Sequence, residues 1–189
     1  MKQFVKEKIL PLSLTAFVIT LDQVTKSIIA NNWPFDPDFP RKYTFPPIAQ
    51  VFGNDFLQII HVRNPAIAFS LGNNLPDVIK PIAFIVLPIL VLGFLIWYFI
   101  KSNEFSLLQR WVAAGIIGGG LGNIIDRIFR PEGVVDFIDV KFYGIFGWER
   151  WPTFNFADSS VVVCCILLFV TLLIDIKKSK KETVSEQES

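Results

Sequence analysis

Two aspartates that lack a basic neighbour at helical spacing are the residues of this sequence best suited to chemistry. Asp136 stands in Val-Val-Asp-Phe and Asp158 in Asn-Phe-Ala-Asp. Two carboxyl groups that share a partly dry site cannot both ionise easily, so one keeps its proton while the other accepts one. Such a pair could activate a water molecule for nucleophilic attack on an amide bond. Two simpler interpretations stay open: a surface-loop acid for Asp136, and a helix-start acid favoured by the helix dipole for Asp158.

Further charged and amide side chains interrupt or border long apolar stretches. They are Asp22, Lys26, Asn123, Asp126, Arg127 and Asn155. A charge in such a position costs a few kcal/mol, so it usually faces a protein interior or a water-filled cavity. Asp22 and Lys26 are four residues apart with the acid first, the favourable order on a helix, and Asn123 and Arg127 share the same spacing. Each pair could instead serve only to neutralise a buried charge, and so could Asp126 beside Arg127.

The elements that must position these residues are membrane helices. The chain has 52% hydrophobic residues and a mean hydropathy of +0.48, which is too apolar for an ordinary soluble core. Four stretches reach the roughly 20 residues that a membrane-spanning helix needs; they are approximately 9–30, 79–100, 107–128 and 156–176. We predict an all-α membrane protein with a single domain over residues 1–176 and a polar, disordered tail over residues 177–189.

The basic residues that flank the spans predict the orientation of the chain. Most of them fall in three short segments that would share one side: Lys2, Lys6 and Lys8; Lys101 and Arg110; and Lys177, Lys178, Lys180 and Lys181. Cytoplasmic flanks carry such an excess of lysine and arginine. Both termini are therefore expected in the cytoplasm. The polar residues within the spans then gather near the opposite, extracytoplasmic face.

Two further patterns concern the external segment and the third span. Residues 31–80 begin with several prolines that exclude helix interior, and residues 56–62 are typical of a strand, so we predict a small extracytoplasmic β-sheet with loops. The role of so long a segment is not evident from its composition. The third span contains two overlapping G-x-x-x-G patterns, residues 115 with 119 and 118 with 122. Such patterns let helices approach closely, which predicts a central position for this span.

Composition argues against several other classes of function. With one histidine and two adjacent cysteines inside an apolar stretch, a zinc site of the usual ligand count cannot be assembled. We therefore expect no metal site of that kind. The net charge of +1 combines a lysine-rich tail with apolar stretches that carry almost no charge, and this distribution is not a nucleic-acid-binding pattern.

Five blocks of this sequence, in order along the chain, resemble those of the lipoprotein signal peptidases, or signal peptidase II, which are aspartic peptidases with four membrane helices. The blocks are residues 22–26 (Asp-Gln-Val-Thr-Lys), 63–70 (Arg-Asn-Pro-Ala-Ile-Ala-Phe-Ser), 119–127 (Gly-Gly-Leu-Gly-Asn-Ile-Ile-Asp-Arg), 134–137 and 154–159. One position departs from the pattern, because Ala66 stands where the family usually has glycine. This departure bears on the placement of Asn64.

The resemblance implies a function and a set of site residues. The substrate would be a diacylglyceryl-modified prolipoprotein, cut just before its lipid-modified cysteine by a chain that works as a monomer among membrane lipids of the bacterial inner membrane. Asp136 and Asp158 would be catalytic. The supporting residues would be Asp22, Asn64, Asn123, Asp126, Arg127 and Asn155, with Lys26 steadying Asp22. No cofactor is implied, because water would be the nucleophile.

Two other classes of protein are alternatives. A small transporter could use Asp22, Lys26 and Asp126 as an ion relay, since buried acids mark such pathways. The polar residues gather near one face rather than through the full depth of the membrane, which argues against a relay. A non-catalytic scaffold would not need Asp136 or Asp158, so replacing either aspartate distinguishes it from a peptidase.

Overall fold

The computed structural model describes residues 2–33, 47–53, 55–65, 76 and 78–187. Four helical stretches in these residues are long and apolar enough to cross a membrane: Val5–Asn32, Ile82–Lys101, Leu107–Phe129 and Phe156–Lys178. Their α-helices are α1 (Leu12–Asn32), α2 (Leu87–Lys101), α3 (Leu107–Phe129) and α4 (Phe156–Gln187). Short π-helical segments, Val5–Ile9 and Ile82–Val86, precede α1 and α2. The prediction of four membrane helices is thus confirmed.

The main difference from the predicted helices lies at the carboxyl end. Helix α4 continues to Gln187, so residues 177–187 are helical where a disordered tail was predicted. The tail is rich in lysine, glutamate and glutamine, which favour helix, and it extends a helix that the apolar span has already nucleated.

A three-stranded antiparallel sheet lies between the helices in the chain. Its strands are β1 (Ala49–Phe52), β2 (Leu57–Asn64) and β3 (Val134–Val140), in the order β1-β2-β3. The predicted small sheet is confirmed, with β2 ending two residues later than expected, but β3 was not predicted. Both faces of β3 are covered, so it lacks the alternation of polar and apolar residues by which a half-buried strand is detected. The prolines at 34, 37, 40 and 46, and Ala66, lie outside the described residues.

Helix α3 occupies the centre of the bundle because its glycines let other helices come close. A Cβ atom on Gly118 would lie 2.9 Å from the Val18 side chain of α1, and one on Gly119 would lie 2.4 Å from the Ala157 carbonyl oxygen of α4. The Thr15 hydroxyl also donates to the Ala114 carbonyl (2.7 Å). The two G-x-x-x-G patterns therefore serve two neighbours, residues 118 and 122 facing α1 and residues 115 and 119 facing α4.

The end of the bundle at which α1 begins and α4 ends, here called the terminal end, also contains buried polar groups. Arg110 of α3 is buried and donates to the Phe99 carbonyl (3.1 Å) and the Ser102 carbonyl (2.8 Å) at the end of α2. The Lys8 ammonium donates to the Ile100 carbonyl (2.5 Å). Arg110, counted above as a flanking charge, thus completes the end of a helix, where carbonyl groups have no partner within the helix. The opposite end of the bundle, next to the sheet, is called the sheet end.

Candidate active site

Asp136 is held at the sheet end by two amide side chains. Asp136 lies in β3, opposite Val62 of β2, and its side chain is almost fully buried. Asn64, the last residue of β2, donates from Nδ2 to Asp136 Oδ2 (3.0 Å). Asn155 donates from Nδ2 to Asp136 Oδ1 (2.7 Å). Both carboxyl oxygens therefore have a fixed donor.

Asp158 is fixed by the way in which α4 begins. Asn155 precedes the helix and its Oδ1 accepts from the Asp158 backbone N–H (2.9 Å), while Asp158 Oδ2 accepts from the Asn155 backbone N–H (3.2 Å). This reciprocal pair is a capping box, made here by Asn and Asp. The other oxygen, Asp158 Oδ1, accepts from Asn123 Nδ2 of α3 (2.7 Å). The helix-start role considered for Asp158 is real, and it orients the carboxyl group.

Asn155 joins the two aspartates. The same residue that caps α4 with Asp158 donates to Asp136, and its Nδ2 also lies 3.2 Å from Asn123 Oδ1. Asn155 is fully buried, so its amide cannot exchange these partners for water. The structure thus brings five of the predicted site residues together in one hydrogen-bonded group: Asn64, Asn123, Asp136, Asn155 and Asp158.

Three fully buried charges lie behind this group. The Lys26 ammonium forms ion pairs with Asp22 Oδ2 (2.8 Å) and Asp126 Oδ2 (3.3 Å). The favourable spacing of Asp22 and Lys26 is therefore realised as a contact. Arg127, four residues after Asn123, donates to the carbonyl of Asn123 (3.1 Å), so this pair also shares one face of the helix. Asp22 accepts a hydrogen bond from the backbone of α4, which carries Asp158, and Asp126 accepts one from the backbone of β3, which carries Asp136.

Among the described residues, Asp126 forms its ion pairs with Lys26 of α1 and with Arg130, four residues further along the chain, rather than with Arg127. The charge of Asp126 acts on Arg127 only at longer range. Successive residues on a helix point about 100° apart, so a neighbour in sequence faces another direction, whereas a residue four further on shares the face. The i,i+4 rule, applied to Asp126, would have found Arg130.

Gln23 and Arg130 are site residues that the sequence analysis missed. Gln23 donates from Nε2 to Asp126 Oδ1 (2.9 Å) and lies 3.2 Å from Asp22 Oδ2. Arg130 donates to Asp126 and to the Gln23 side-chain carbonyl (3.2 Å). The Asp126 contacts with Gln23 join residues 103 positions apart, so no local pattern indicates them.

The environment of Asp136 favours its protonated form. Burial raises the pKa of Asp136, the nearby charge of Asp158 raises it further, and the amides of Asn64 and Asn155 and the charge of Lys26 oppose this rise. The resulting pKa is about 7. At neutral pH this carboxyl group can therefore hold a proton that an ordinary aspartate would have released.

A cavity of about 210 Å³ lies beside these residues. Its wall combines the apolar side chains of Phe84 and Ile85 with the polar groups of Asn64 and Arg127. Within the described part of the chain, no cluster of three or more His, Cys, Asp or Glu side chains could hold a metal ion. The candidate site is thus a group of carboxyl and amide side chains with a partly apolar recess next to it.

Known proteins show where this arrangement belongs. A family model described as "Signal peptidase (SPase) II" matches residues 14–174. The chain is 40% identical over 181 residues to the lipoprotein signal peptidase of Treponema pallidum (strain Nichols), covering 96% of this chain and 90% of that protein. It is 46% identical over 176 residues to the lipoprotein signal peptidase of Treponema denticola, covering 93% and 95%.

Solved structures agree with the sequence comparison. A bacterial membrane enzyme superposes with a TM-score of 0.67 at 33% identity, covering 89% of this chain and 90% of that one. A second bacterial membrane enzyme gives a TM-score of 0.63 at 32% identity. The resemblance carried by the five sequence blocks is therefore confirmed, and the chain belongs to the signal peptidase II family of membrane peptidases.

Proposed function

We propose that this chain is an aspartic endopeptidase that removes the signal peptide from diacylglyceryl-modified prolipoproteins, cutting just before the lipid-modified cysteine. The observation that carries the proposal is the junction at Asn155, which ties Asp136 of β3 to Asp158 of α4 at one end of a membrane bundle. The relatives named as lipoprotein signal peptidases supply the substrate class.

The proposed mechanism uses one proton shared by the two aspartates. Burial raises the pKa of Asp136 to about 7, so Asp136 can hold this proton near neutral pH, and we assign the role of the ionised base to Asp158. Asp158 takes a proton from a water molecule as the water oxygen attacks the scissile carbonyl carbon, and Asp136 gives its proton to the carbonyl oxygen. When the tetrahedral intermediate collapses, the C–N bond breaks, Asp158 protonates the leaving amine and Asp136 recovers its proton.

The fixed amides make such proton transfers efficient. Asn64 and Asn155 hold the two oxygens of Asp136, and Asn123 and the capping box hold those of Asp158. Groups fixed in this way need little reorganisation when the transition state forms. No metal or organic cofactor is needed in this scheme, because water is the nucleophile and the aspartates supply the acid and the base.

The proposed location follows from the membrane helices and the flanking charges. The chain is a multi-pass membrane protein, and we place it in the bacterial inner membrane with both termini in the cytoplasm. The sheet end then lies near the extracytoplasmic face, at the depth where a signal helix meets its lipid-modified cysteine. The apolar wall of the recess at Phe84 and Ile85 would face the signal peptide. A single chain contains all the residues that this site requires, so we propose that it acts as a monomer.

The test is cleavage of a purified diacylglyceryl-modified prolipoprotein in detergent micelles. Wild type, Asp136→Asn and Asp158→Asn are compared, with membrane insertion and thermal unfolding checked for each. We expect wild type to cut before the modified cysteine, and both folded variants to lose about 10³-fold or more in turnover. Lys141→Met is the matched control, because Lys141 lies on the same side of the molecule but pairs with Asp55.

Other outcomes would support other functions. If folded Asp136→Asn and Asp158→Asn both cleave at the wild-type rate, the two aspartates are not the catalytic pair. If wild type cuts the same precursor without its diacylglyceryl group equally well, the lipid is not part of the recognised substrate. A wild type that never cuts would return the transporter and scaffold interpretations.

A further inference from the structure

Each candidate catalytic aspartate directly follows a residue whose backbone is anchored to a buried carboxylate. The Val135 N–H, one residue before Asp136, donates to Asp126 Oδ2 (3.1 Å). The Ala157 N–H, one residue before Asp158, donates to Asp22 Oδ1 (3.0 Å). Both anchors are fully buried. The backbone positions of the two aspartates therefore depend on where Asp126 and Asp22 lie.

Lys26 connects these two anchors. Its ammonium group lies 2.8 Å from Asp22 Oδ2 and 3.3 Å from Asp126 Oδ2, and it also donates to Asn123 Oδ1 (2.9 Å). An ammonium group has three N–H donors, so these three acceptors use its full capacity. Because Asn123 accepts at Oδ1, its Nδ2 is turned toward Asp158, to which it donates (2.7 Å).

We propose that Lys26 is a positioning residue that sets the separation of Asp136 and Asp158 by holding Asp126, Asp22 and Asn123 around one ammonium group. The three partners of the Lys26 ammonium are Asp22, Asp126 and Asn123 rather than Asp136 or Asp158, so Lys26 positions the two aspartates through other residues, while its charge acts on Asp136 at longer range. This goes beyond the role of steadying Asp22 alone. The structural part of the inference stands apart from the proposed function, and only its effect on turnover rests on that function.

Burial makes this arrangement rigid. Lys26, Asp22 and Asp126 are each 0% exposed, so water does not replace any of the contacts. Hydrogen bonds between charged groups in a medium of low dielectric are short and strong. Gln23 spans the same two carboxylates with its Nε2 group, at 3.2 Å from Asp22 Oδ2 and 2.9 Å from Asp126 Oδ1. Gln23 thus adds a weaker, uncharged link in parallel with Lys26.

The alternative is that Lys26 only neutralises the charge of Asp22. The two roles differ in what happens at β3. If Lys26 serves Asp22 alone, its removal disturbs the hydrogen bond from the Ala157 N–H to Asp22 at the start of α4. The hydrogen bond from the Val135 N–H to Asp126 then stays unchanged. If Lys26 connects Asp22 and Asp126, its removal loosens the hydrogen bonds of both backbone N–H groups, although these N–H groups donate to the aspartates and not to Lys26.

The first test measures backbone amide hydrogen exchange in the full-length protein in micelles, comparing wild type with Lys26→Met. We expect faster exchange at both Val135 and Ala157 in the variant, with exchange in the interior of α2 unchanged. Faster exchange at Ala157 alone would overturn the proposal. This measurement does not require activity, so it remains informative even if the chain does not cleave prolipoproteins.

Lys26→Met removes a positive charge that pairs with two buried carboxylates, so this variant could fail to fold. A second, milder variant keeps the proposal testable in that case. Gln23→Met removes a neutral donor from the same pair of carboxylates, together with its contacts to the Gly122 carbonyl and Arg130, and keeps Lys26. We expect it to accelerate exchange at Val135 and Ala157 together, by a smaller factor than Lys26→Met. Unchanged exchange at Val135 in every folded variant would contradict the connection between the anchors.

Turnover supplies the readout that a purely structural role would not change. A displacement of about 1 Å between reacting groups can cost roughly 100-fold, so folded Lys26→Met should lose about that factor in kcat with little change in KM. Burial raises the pKa of Asp136 and the charge of Lys26 opposes that rise, so the alkaline limb of kcat should move to higher pH in the variant. Lys141→Met is the control for loss of a lysine. A Lys26→Met enzyme with the wild-type kcat and pH profile would overturn the proposal.

Discussion

The two ends of the helix bundle both contain buried charged side chains, but the partners of those charges differ. At the terminal end, the Arg110 guanidinium donates to the Phe99 and Ser102 carbonyls that close α2. At the sheet end, the Lys26 ammonium is surrounded by side chains, two of them carboxylates. Arg110 thus provides hydrogen-bond donors for the end of a helix, whereas Lys26 pairs with the carboxylates of Asp22 and Asp126.

This difference separates buried charges that build the fold from those that build a reactive site. The carbonyls at the end of α2 would lack a partner in any helix of this kind, so Arg110 has a structural reason to be there. Asp136 has no comparable reason, because its burial keeps a carboxyl group where its ionised form is disfavoured. A fold gains nothing from such a group, whereas proton transfer near neutral pH does.

The largest effect is expected at Asn155, where both aspartates meet. Replacing Asn155 by Ala removes the donor to Asp136 Oδ1 (2.7 Å) and the acceptor for the Asp158 backbone N–H (2.9 Å). Turnover should fall by about 10³-fold, and the free energy of unfolding should fall by about 1 kcal/mol from the lost helix cap. Steady-state cleavage and thermal unfolding of the same preparation measure the two effects.

Asn155→Asp separates the two functions of this side chain. Aspartate can still accept at the start of α4, so the helix cap is kept, but its ionised form cannot donate to Asp136 and places a third carboxylate at a fully buried position. We expect turnover per folded molecule to fall as far as in Asn155→Ala, and the free energy of unfolding to fall because of the added buried acid rather than through loss of the cap. If Asn155→Asp retained turnover, the donor to Asp136 would not matter for catalysis.

A smaller loss is expected when the contact between α3 and α4 is opened. A Cβ atom on Gly119 would lie 2.4 Å from the Ala157 carbonyl oxygen, so Gly119→Ala must displace the backbone next to Asp158. A shift of this size should lower turnover by roughly 100-fold. Gly93→Ala in α2 is the matched control, because nothing lies within 4 Å of its added Cβ. Equal turnover in the two variants would mean that the close approach of α3 and α4 does not position Asp158.

The bundle could be predicted from the sequence because hydropathy and glycine spacing are local patterns. The four spans, a strand of the small sheet and the two glycine faces of α3 all follow from residues close together in the chain. Strand β3 escaped prediction because both its faces are buried, which removes the polar alternation that marks a strand. Asp136 was therefore assigned to no element, although it was recognised as unusual.

The candidate site was predicted in its members more fully than in its contacts. The capping box of Asn155 and Asp158 is a three-residue pattern that can be read from sequence, as can the i,i+4 pairing of Asp126 with Arg130. The connection of Asp22 and Asp126 through Lys26 cannot, because it joins α1 to α3 by contacts between residues about a hundred positions apart. Such contacts depend on how helices pack, which local patterns do not specify.

The turnover of the wild type should change gradually with pH, in contrast to the abrupt losses expected from the substitutions above. The pKa of Asp136 is about 7, raised first by burial and then by Asp158, and opposed by Asn64, Lys26 and Asn155. A raised pKa means that the proton is held below about pH 7 and lost above it. Turnover by the wild type should therefore decline above about pH 7, approaching tenfold for each further pH unit. A rate that keeps rising to pH 9 at saturating substrate would contradict a proton held by Asp136.

The smallest effect on turnover is expected at the terminal end, and it completes the comparison. Arg110→Met keeps the volume of the buried side chain but leaves the Phe99 and Ser102 carbonyls without their donor. The free energy of unfolding should fall by about 2 kcal/mol, while kcat per folded molecule stays at the wild-type value because no site residue loses a contact. Chemical unfolding in micelles measures the free energy of unfolding, and the cleavage rate divided by the concentration of folded protein measures kcat. If kcat fell along with stability, the two ends of the bundle would be energetically coupled, and burial with backbone partners would no longer distinguish a structural charge from a catalytic one.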